Sequence, residues 1–272
     1  MSHPIMMLDH YGWQHGDDGS ARRVLRSAGS VWAVVCTPRR TGGHRVEIVR
    51  LTGDTDVAPV IDTIDPRNLT GYAVVCDPLR ADGPVARVRT SDVWEALGLA
   101  VTRQVIKAAT ARENYRRFCE ACGDRYDTAA GPAWLFPSPE TVLALTDAEF
   151  DVLRMKFFRT GLRSAAEASL KSAHDWAGMT GEQLIAALQS VHRIGPWTAR
   201  AAGADVTNDY SLYPFADLAV RTWAGKLAPS VDWPKPELEF GRLWQTLADT
   251  QLSEWTLLTL AWGVRHATGV AL

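Results

Sequence analysis

Cysteine and lysine are scarce in this chain: four of the first and five of the second in 272 residues. The cysteines, Cys36, Cys76, Cys119 and Cys122, are too few for a disulfide scaffold at this length. Cys119 and Cys122 form a lone CxxC, and a zinc site would need two more ligands that the sequence does not bring near. They read as ordinary helix residues, and no metal site is expected. No apolar run approaches the roughly 18 residues of a membrane span. The segment Met1–His10 lacks the basic start and long apolar core of a signal peptide. A cytoplasmic, membrane-free protein is the expectation. An excess of one charge is also missing. With 29 Lys+Arg against 31 Asp+Glu, the net of −2 excludes a globally basic nucleic-acid coat and leaves only a local basic face open. No fixed-period repeat occurs, which excludes a solenoid. At 46% hydrophobic and 22% charged residues, the composition is that of a chain able to bury a sizeable core.

The character of the chain changes near residue 90. Before it come short β-rich runs, Ser30–Cys36, Arg45–Leu51, Gly71–Cys76 and Val85–Val88, separated by turn clusters at Pro38–Gly43 and Asp77–Gly83. These predict an antiparallel sheet domain over 1–90. Ala21–Ala28 reads equally as helix or strand. After residue 90 the start signals are helical. Ser91 or Asp92 opens a helix predicted to run to about Cys122, Ser138 precedes Pro139, and Thr146 with Glu149 and Thr180 with Gln183 both fit the capping box. Leu184, Ile185, Leu188 and Val191 recur at helical spacing, and further helices are predicted near 197–204, 217–227, 237–249 and 253–266. The fold class is therefore α+β, a sheet domain followed by an all-helical body over 91–272.

The most informative stretch is Leu188-Gln-Ser-Val-His-Arg-Ile-Gly-Pro-Trp-Thr-Ala-Arg200. An amphipathic helix ends, a turn with Gly195 follows, and a helix of small residues begins at Pro196. Such a turn aims free N–H groups of a helix start outward, where a phosphate can bind, although many helical corners contain a glycine. Asp217 follows Gly195 by 22 residues, in Leu212-Tyr-Pro-Phe-Ala-Asp-Leu-Ala-Val-Arg-Thr-Trp223. It reads as a helix N-cap, and an N-cap whose helix start faces a pocket can also serve as a catalytic carboxylate.

Together these segments resemble the helix-hairpin-helix DNA glycosylase superfamily. Ile194–Ala199 resembles the hairpin, over about 184–204, and Asp217–Val220 resembles the catalytic Asp with an apolar residue after it. Leu97–Ile106 is similar to the early helix that ends in a Gln and an apolar residue inserted into the duplex. Phe157–Ser164 and Leu257–Trp262 resemble the segment before the next helix and the closing helix. The lyase branch carries a Lys where this chain has Trp197. The cluster-bearing branch has four late cysteines, and none follows Cys122 here. The front sheet, the hairpin Trp197 and Trp262 resemble the alkylated-base branch, the 3-methyladenine DNA glycosylase II type. In that branch the first domain is like half of a TATA-binding-protein saddle. Arg193 departs from the family's first hairpin glycine, which implies a less tight turn. Ala201 and Leu218 stand where the best-known alkylated-base enzyme presents tyrosines.

The resemblance implies a monofunctional glycosylase that flips a damaged, alkylated base out of double-stranded DNA and leaves an abasic site. It implies Asp217 as the carboxylate that steadies the sugar cation, and Trp197 and Trp262 as aromatic faces for a cationic base. Gln104, Val105, Arg193, Ile194, Gly195 and Thr198 would meet the DNA. Val105 is the wedge, or else a core residue of its helix. The only cofactor implied is a monovalent cation at the hairpin, and the expected state is a monomer. Basic residues support a DNA face: Arg154, Lys156, Arg159, Arg163 and Lys171, with Arg103, Lys107, Arg112, Arg116 and Arg117. Competing readings are a non-catalytic hairpin DNA-binding protein, a glycosylase for a non-alkylated lesion, and a helical interaction protein.

Overall fold

The computed structural model describes residues 3–104 and 107–267. The first part runs β1 (Ile5–Met6), β2 (Gln14–His15), β3 (Ala21–Ser27), β4 (Ser30–Pro38), β5 (His44–Thr52), β6 (Ile61–Ile64), α1 (Ala73–Asp82) and β7 (Val85–Val88). The second part runs α2 (Val93–Thr102), α3 (Ala108–Cys122), β8 (Arg125–Thr128), β9 (Gly131–Trp134), α4 (Pro139–Ala144), α5 (Asp147–Val152), α6 (Arg159–Ala177), α7 (Gly181–Gln189), α8 (Pro196–Thr207), α9 (Leu218–Leu227), α10 (Glu237–Ala248) and α11 (Leu252–Ala267).

Strands β2-β3-β4-β5 form an antiparallel sheet in that order. A second sheet, β1-β7-β6, joins β7 antiparallel to β6 but parallel to β1. The strands bury opposite faces in different places, as the two-residue period requires. Leu25, Val34 and Cys36 pack with Trp13, Ala86 and Val88. Val24, Val31 and Ala33 meet Ala133 and Leu135 behind the β8–β9 hairpin.

Four expectations are corrected. Gly71–Cys76, read as a strand, lies largely in α1, because Val75, Cys76 and Leu79 bury one side of a helix that tolerates Pro78. The helical body is not all helix: β8 and β9 form a two-stranded hairpin, and Arg22 Nε of β3 donates to Pro132 O at 2.7 Å. The helix predicted from 91 to 122 is two helices, capped by Asp92 through Trp94 N at 2.8 Å and broken after Thr102. Thr180 makes no side-chain cap bond, whereas Thr146 and Glu149 complete their capping box. Ala21–Ala28 resolves as β3.

Two buried ion pairs tie strands to helices. Arg23 of β3 donates through Nη2 to Glu95 Oε1 at 2.8 Å and Thr90 Oγ1 at 3.0 Å, beside His10 Nε2 at 3.1 Å. Arg87 of β7 pairs with Asp205 of α8 and lies over the Tyr210 ring. Buried charges are tolerated only when paired and hydrogen-bonded, so both pairs fix how the sheets meet α2 and α8. Burial, with the Arg23 charge beside it, holds His10 well below the usual imidazole value. Below about pH 6.5 the unfolded chain takes up a proton at His10 that the folded chain refuses. Stability therefore falls with falling pH, by up to about 1.4 kcal/mol per unit from this residue. Urea unfolding at about pH 7.5 and about pH 5 should show a larger loss for the wild type than for His10→Gln, and equal losses would refute the assignment.

Candidate active site at the hairpin

Leu188 closes α7 with a buried side chain, and the chain then turns: Val191 N donates to Leu188 O at 3.1 Å and Ile194 N to Val191 O at 3.0 Å. Arg193, at φ 67°, occupies the left-handed region. That region costs a residue with Cβ about 1–2 kcal/mol. The turn thus keeps the conformation a glycine would supply, although an arginine occupies it, which corrects the expectation of a looser corner. Gly195 has φ −82° and ψ 173°, open to any residue, and a Cβ there would meet nothing within 4 Å. Its contribution is clear space before α8, whose first N–H groups receive no side-chain cap. Ile194 and Thr198 are buried, so only their main chain can meet a ligand at the surface. Arg193 and His192 are exposed.

The break after α2 places two consecutive side chains on this hairpin. Gln104 Nε2 donates to Thr198 Oγ1 at 2.6 Å. The half-buried Arg103 sets its guanidinium 5.6 Å from the centre of the Trp197 ring and donates through Nη2 to Tyr213 Oη at 3.3 Å. Tyr213 in turn donates to Asp217 Oδ2 at 3.2 Å. The other carboxylate oxygen, Oδ1, accepts Leu218 N at 2.8 Å and caps α9. Burial pushes the Tyr213 phenol up; Arg103 opposes this and the Asp217 charge adds to it. The phenol therefore keeps its proton and holds the carboxylate in place. Asp217, Trp197, Gln104 and Thr198 are thus joined by Arg103 and Tyr213, the two residues the sequence reading did not assign to the site. Tyr213 stood inside the quoted motif, four residues before Asp217. Arg103 was counted only as a surface charge.

Trp262 is half-buried on α11, its ring stacked 4.4 Å from His266. Among the described residues it makes no hydrogen bond or ring contact with Trp197, Arg103, Tyr213 or Asp217. Val105 lies outside the described residues. The basic clusters are partly spent on ion pairs: Arg159 and Arg163 with Asp147, Lys156 with Asp151, and Arg117 with Glu113. Arg116, Arg154, Lys171 and Arg193 stay exposed. A groove of about 410 Å³ between α6 and the end of α7 is lined by Glu167, Lys171, Asp175 and His192 among others, and holds none of the sequence-predicted site residues.

This hairpin, with an aspartate that caps α9 and is tied to it through Tyr213 and Arg103, sits in a fold shared with solved DNA glycosylases. The likeness extends over nearly the whole chain. The 3-methyladenine DNA-glycosylase from Archaeoglobus fulgidus superposes with a TM-score of 0.69 over 94% of this chain and 91% of that one, at 16% identity. The Clostridium acetobutylicum 8-oxoguanine glycosylase/lyase in its apo form gives a TM-score of 0.66 over 93% and 88%, at 14% identity. MBOgg1 in complex with a low-affinity DNA ligand gives 0.64 over 93% and 89%, at 14% identity. In sequence, the chain is 25% identical over 134 residues to "Putative DNA-3-methyladenine glycosylase YfjP" of Bacillus subtilis (strain 168), a match covering 47% of this chain and 45% of that protein. The chain thus spans less than half the length of this curated relative. No family model matches it. No helix of the described residues is long and apolar enough to cross a membrane.

Glycines at two positions differ in what they do. A Cβ on Gly98 of α2 would lie 2.3 Å from Phe136 Cε1, while one on Gly195 meets nothing within 4 Å. In urea unfolding, Gly195→Ala should stay within about 0.5 kcal/mol of wild type. Gly98→Ala should lose about 1–3 kcal/mol through overpacking. A comparable loss at Gly195 would show that the hairpin glycine is structural.

Proposed function

We propose that the chain is a monofunctional DNA glycosylase of base excision repair, which flips a damaged, alkylated base out of duplex DNA and hydrolyses its N-glycosidic bond. The observation that carries this reading is the bonding of Asp217. Capping α9 occupies Oδ1 alone; the hydrogen bond from buried Tyr213 to Oδ2 is not needed by a cap, but it orients the carboxylate beside the hairpin. This also favours an enzyme over a non-catalytic DNA-binding hairpin. The overall α+β likeness to solved DNA glycosylases supports the same reading, and the front sheets are proposed to correspond to the TATA-binding-protein-like half-saddle of the alkylated-base branch. The sheet domain over 1–90 and the glycosylase region over 91–272 are the proposed division.

Flipping costs a few kcal/mol of lost stacking and pairing, which an apolar wedge such as Val105, next to Gln104, offsets in part. The free N–H groups at Gly195, Trp197 and Thr198 would hold a backbone phosphate. As the C1′–N bond stretches, positive charge grows on the sugar, and the Asp217 carboxylate stabilises it and orients water. Trp197 would stack on the base. The turn from Leu188 to Trp197 carries main-chain carbonyl oxygens and no carboxylate, a donor set that suits a monovalent cation better than a divalent one. The enzyme acts as a monomer on double-stranded DNA. Release of free base and formation of alkali-labile sites, measured on duplexes carrying single alkylated purines, test the function; a protein that binds these duplexes and releases no base would refute it.

Asp217→Asn should nearly abolish base release, with duplex binding unchanged or tighter, since it removes both the stabilising charge and a repulsion from phosphates. Near-wild-type turnover would remove Asp217 from the mechanism. The product should be an intact abasic strand. The lysines are Lys107, Lys156, Lys171, Lys226 and Lys235, none in the hairpin, and the Trp197 indole cannot form a Schiff base. Borohydride should trap no enzyme–DNA adduct above background, and an adduct lost on mutating one lysine would overturn the hydrolytic reading.

A further inference from the structure

Arg103 is a cation set inside the candidate site with no carboxylate in ion-pair contact among the described residues; burial disfavours its charge, and Tyr213, Asp205, Tyr11 and Asp9 more than offset this. The Arg103 guanidinium covers the Trp197 face at 5.6 Å and makes one hydrogen bond, to Tyr213 Oη at 3.3 Å. It forms no ion pair among the described residues, in contrast to the buried Arg23 and Arg87, each of which holds a carboxylate. Its backbone is fixed as well: Arg103 is the C-cap of α2, with its N–H on Ala100 O and Val101 O, and the next residue, Gln104, is bonded to Thr198. The arginine is therefore held against the hairpin from both sides, while most of its donors remain unspent.

A cation already occupying the tryptophan face changes which base can stack there. A base that carries positive charge through N-alkylation would find the ring quadrupole satisfied and a like charge next to it, and like-charge juxtaposition is a common means of rejecting a ligand. An uncharged base that offers lone pairs on its edge meets the opposite situation, because a guanidinium fork pairs well with acceptors on purine edges. Such a base also needs help in leaving. Water bonds through its oxygen to C1′, the C1′–N electron pair departs with the base as an anion, and the proton shed by the water ends on the base nitrogen. A fixed cation at the base edge stabilises that anion as it forms, whereas a cationic base departs neutral and gains nothing from it.

We infer that Arg103 is the specificity-determining residue of this site and selects uncharged adducts with acceptor edges, such as 1,N6-ethenoadenine, over cationic N-alkyl purines, such as N7-methylguanine. The inference rests on the glycosylase reading above and narrows its substrate class. It is tested by single-turnover base release from two duplexes, one with 1,N6-ethenoadenine and one with N7-methylguanine, corrected for spontaneous loss, using wild type, Arg103→Lys and Arg103→Met. Wild type should prefer ethenoadenine by at least about tenfold. Arg103→Met should lose about tenfold or more on ethenoadenine and gain on N7-methylguanine, so that the preference collapses or inverts. Arg103→Lys, which keeps the charge without the planar fork, should fall between the two. Circular-dichroism melts of each variant separate a folding defect, which would lower both rates together. If a well-folded Arg103→Met leaves the ratio of the two rates unchanged, or if wild type prefers N7-methylguanine, the inference fails while the glycosylase reading stands. If wild type releases neither base, nor any other in a lesion panel, both fail.

Discussion

The burial of one ten-residue helix organises this molecule. Nearly every side chain of α2 from Trp94 to Thr102 is inside the protein, pressed against α6 and α8. A helix buried all round cannot slide or rotate without opening voids on several sides, because protein interiors are packed at crystal density. Its two ends therefore act as fixed points. At the front, Glu95 receives Arg23 from β3, which locks the sheet to the helix. At the back, Arg103 and Gln104 arrive at the hairpin and meet Trp197 and Thr198.

The site depends on that rigidity. Asp217 belongs to α9, Tyr213 to the loop before it, Trp197 and Thr198 to α8, and Arg103 and Gln104 to the end of α2. Three segments distant in sequence, 103–104, 197–198 and 213–217, are joined by a few polar contacts, and each contact draws its geometry from helices whose packing holds them still. The cost is local: Arg193 sits in a left-handed conformation, and the half-buried Arg103 guanidinium makes no direct ion pair among the described residues, its charge favoured by Tyr213, Asp205, Tyr11 and Asp9 against the cost of burial. Strain and unpaired charge of this kind concentrate where a protein meets its ligand. The buried Arg23–Glu95 and Arg87–Asp205 pairs show the ordinary alternative, a cation in direct contact with a carboxylate.

The tryptophans show how a reasonable inference from residue type can be redirected by neighbours. Trp197 and Trp262 read as platforms for a cationic base, since an indole face attracts positive charge. In the structure each face is already engaged by a side chain of the protein: Arg103 on Trp197 and the His266 ring on Trp262. On Trp197 that side chain is a cation, whereas on Trp262 it is a histidine ring that burial and the Arg265 charge hold below the usual imidazole value.

The sequence by itself determined the elements whose signals are local. Strands Ser30–Pro38 and Val85–Val88, the Ser138 cap before Pro139, the Thr146 capping box, and the helix starts at Pro196 and after Asp217 all follow from side chains acting on backbone a few residues away. The corner at Gly195 and the N-cap at Asp217 were legible for the same reason, whereas their reading as a site came from the family resemblance. Tertiary structure decided the rest. Gly71–Cys76 is rich in β-branched residues yet lies largely in a helix, because its burial against the core favours one helical side over strand pairing. The predicted long helix breaks at Arg103, where the next residue, Gln104, is bonded to Thr198 of α8. The link from Arg103 through Tyr213 to Asp217 spans 114 residues from first to last, and nothing in the local pattern of either end encodes it. Such a contact exists only after α2, α8 and α9 have packed, since what brings these side chains within hydrogen-bond reach is the burial of apolar surface along three helices.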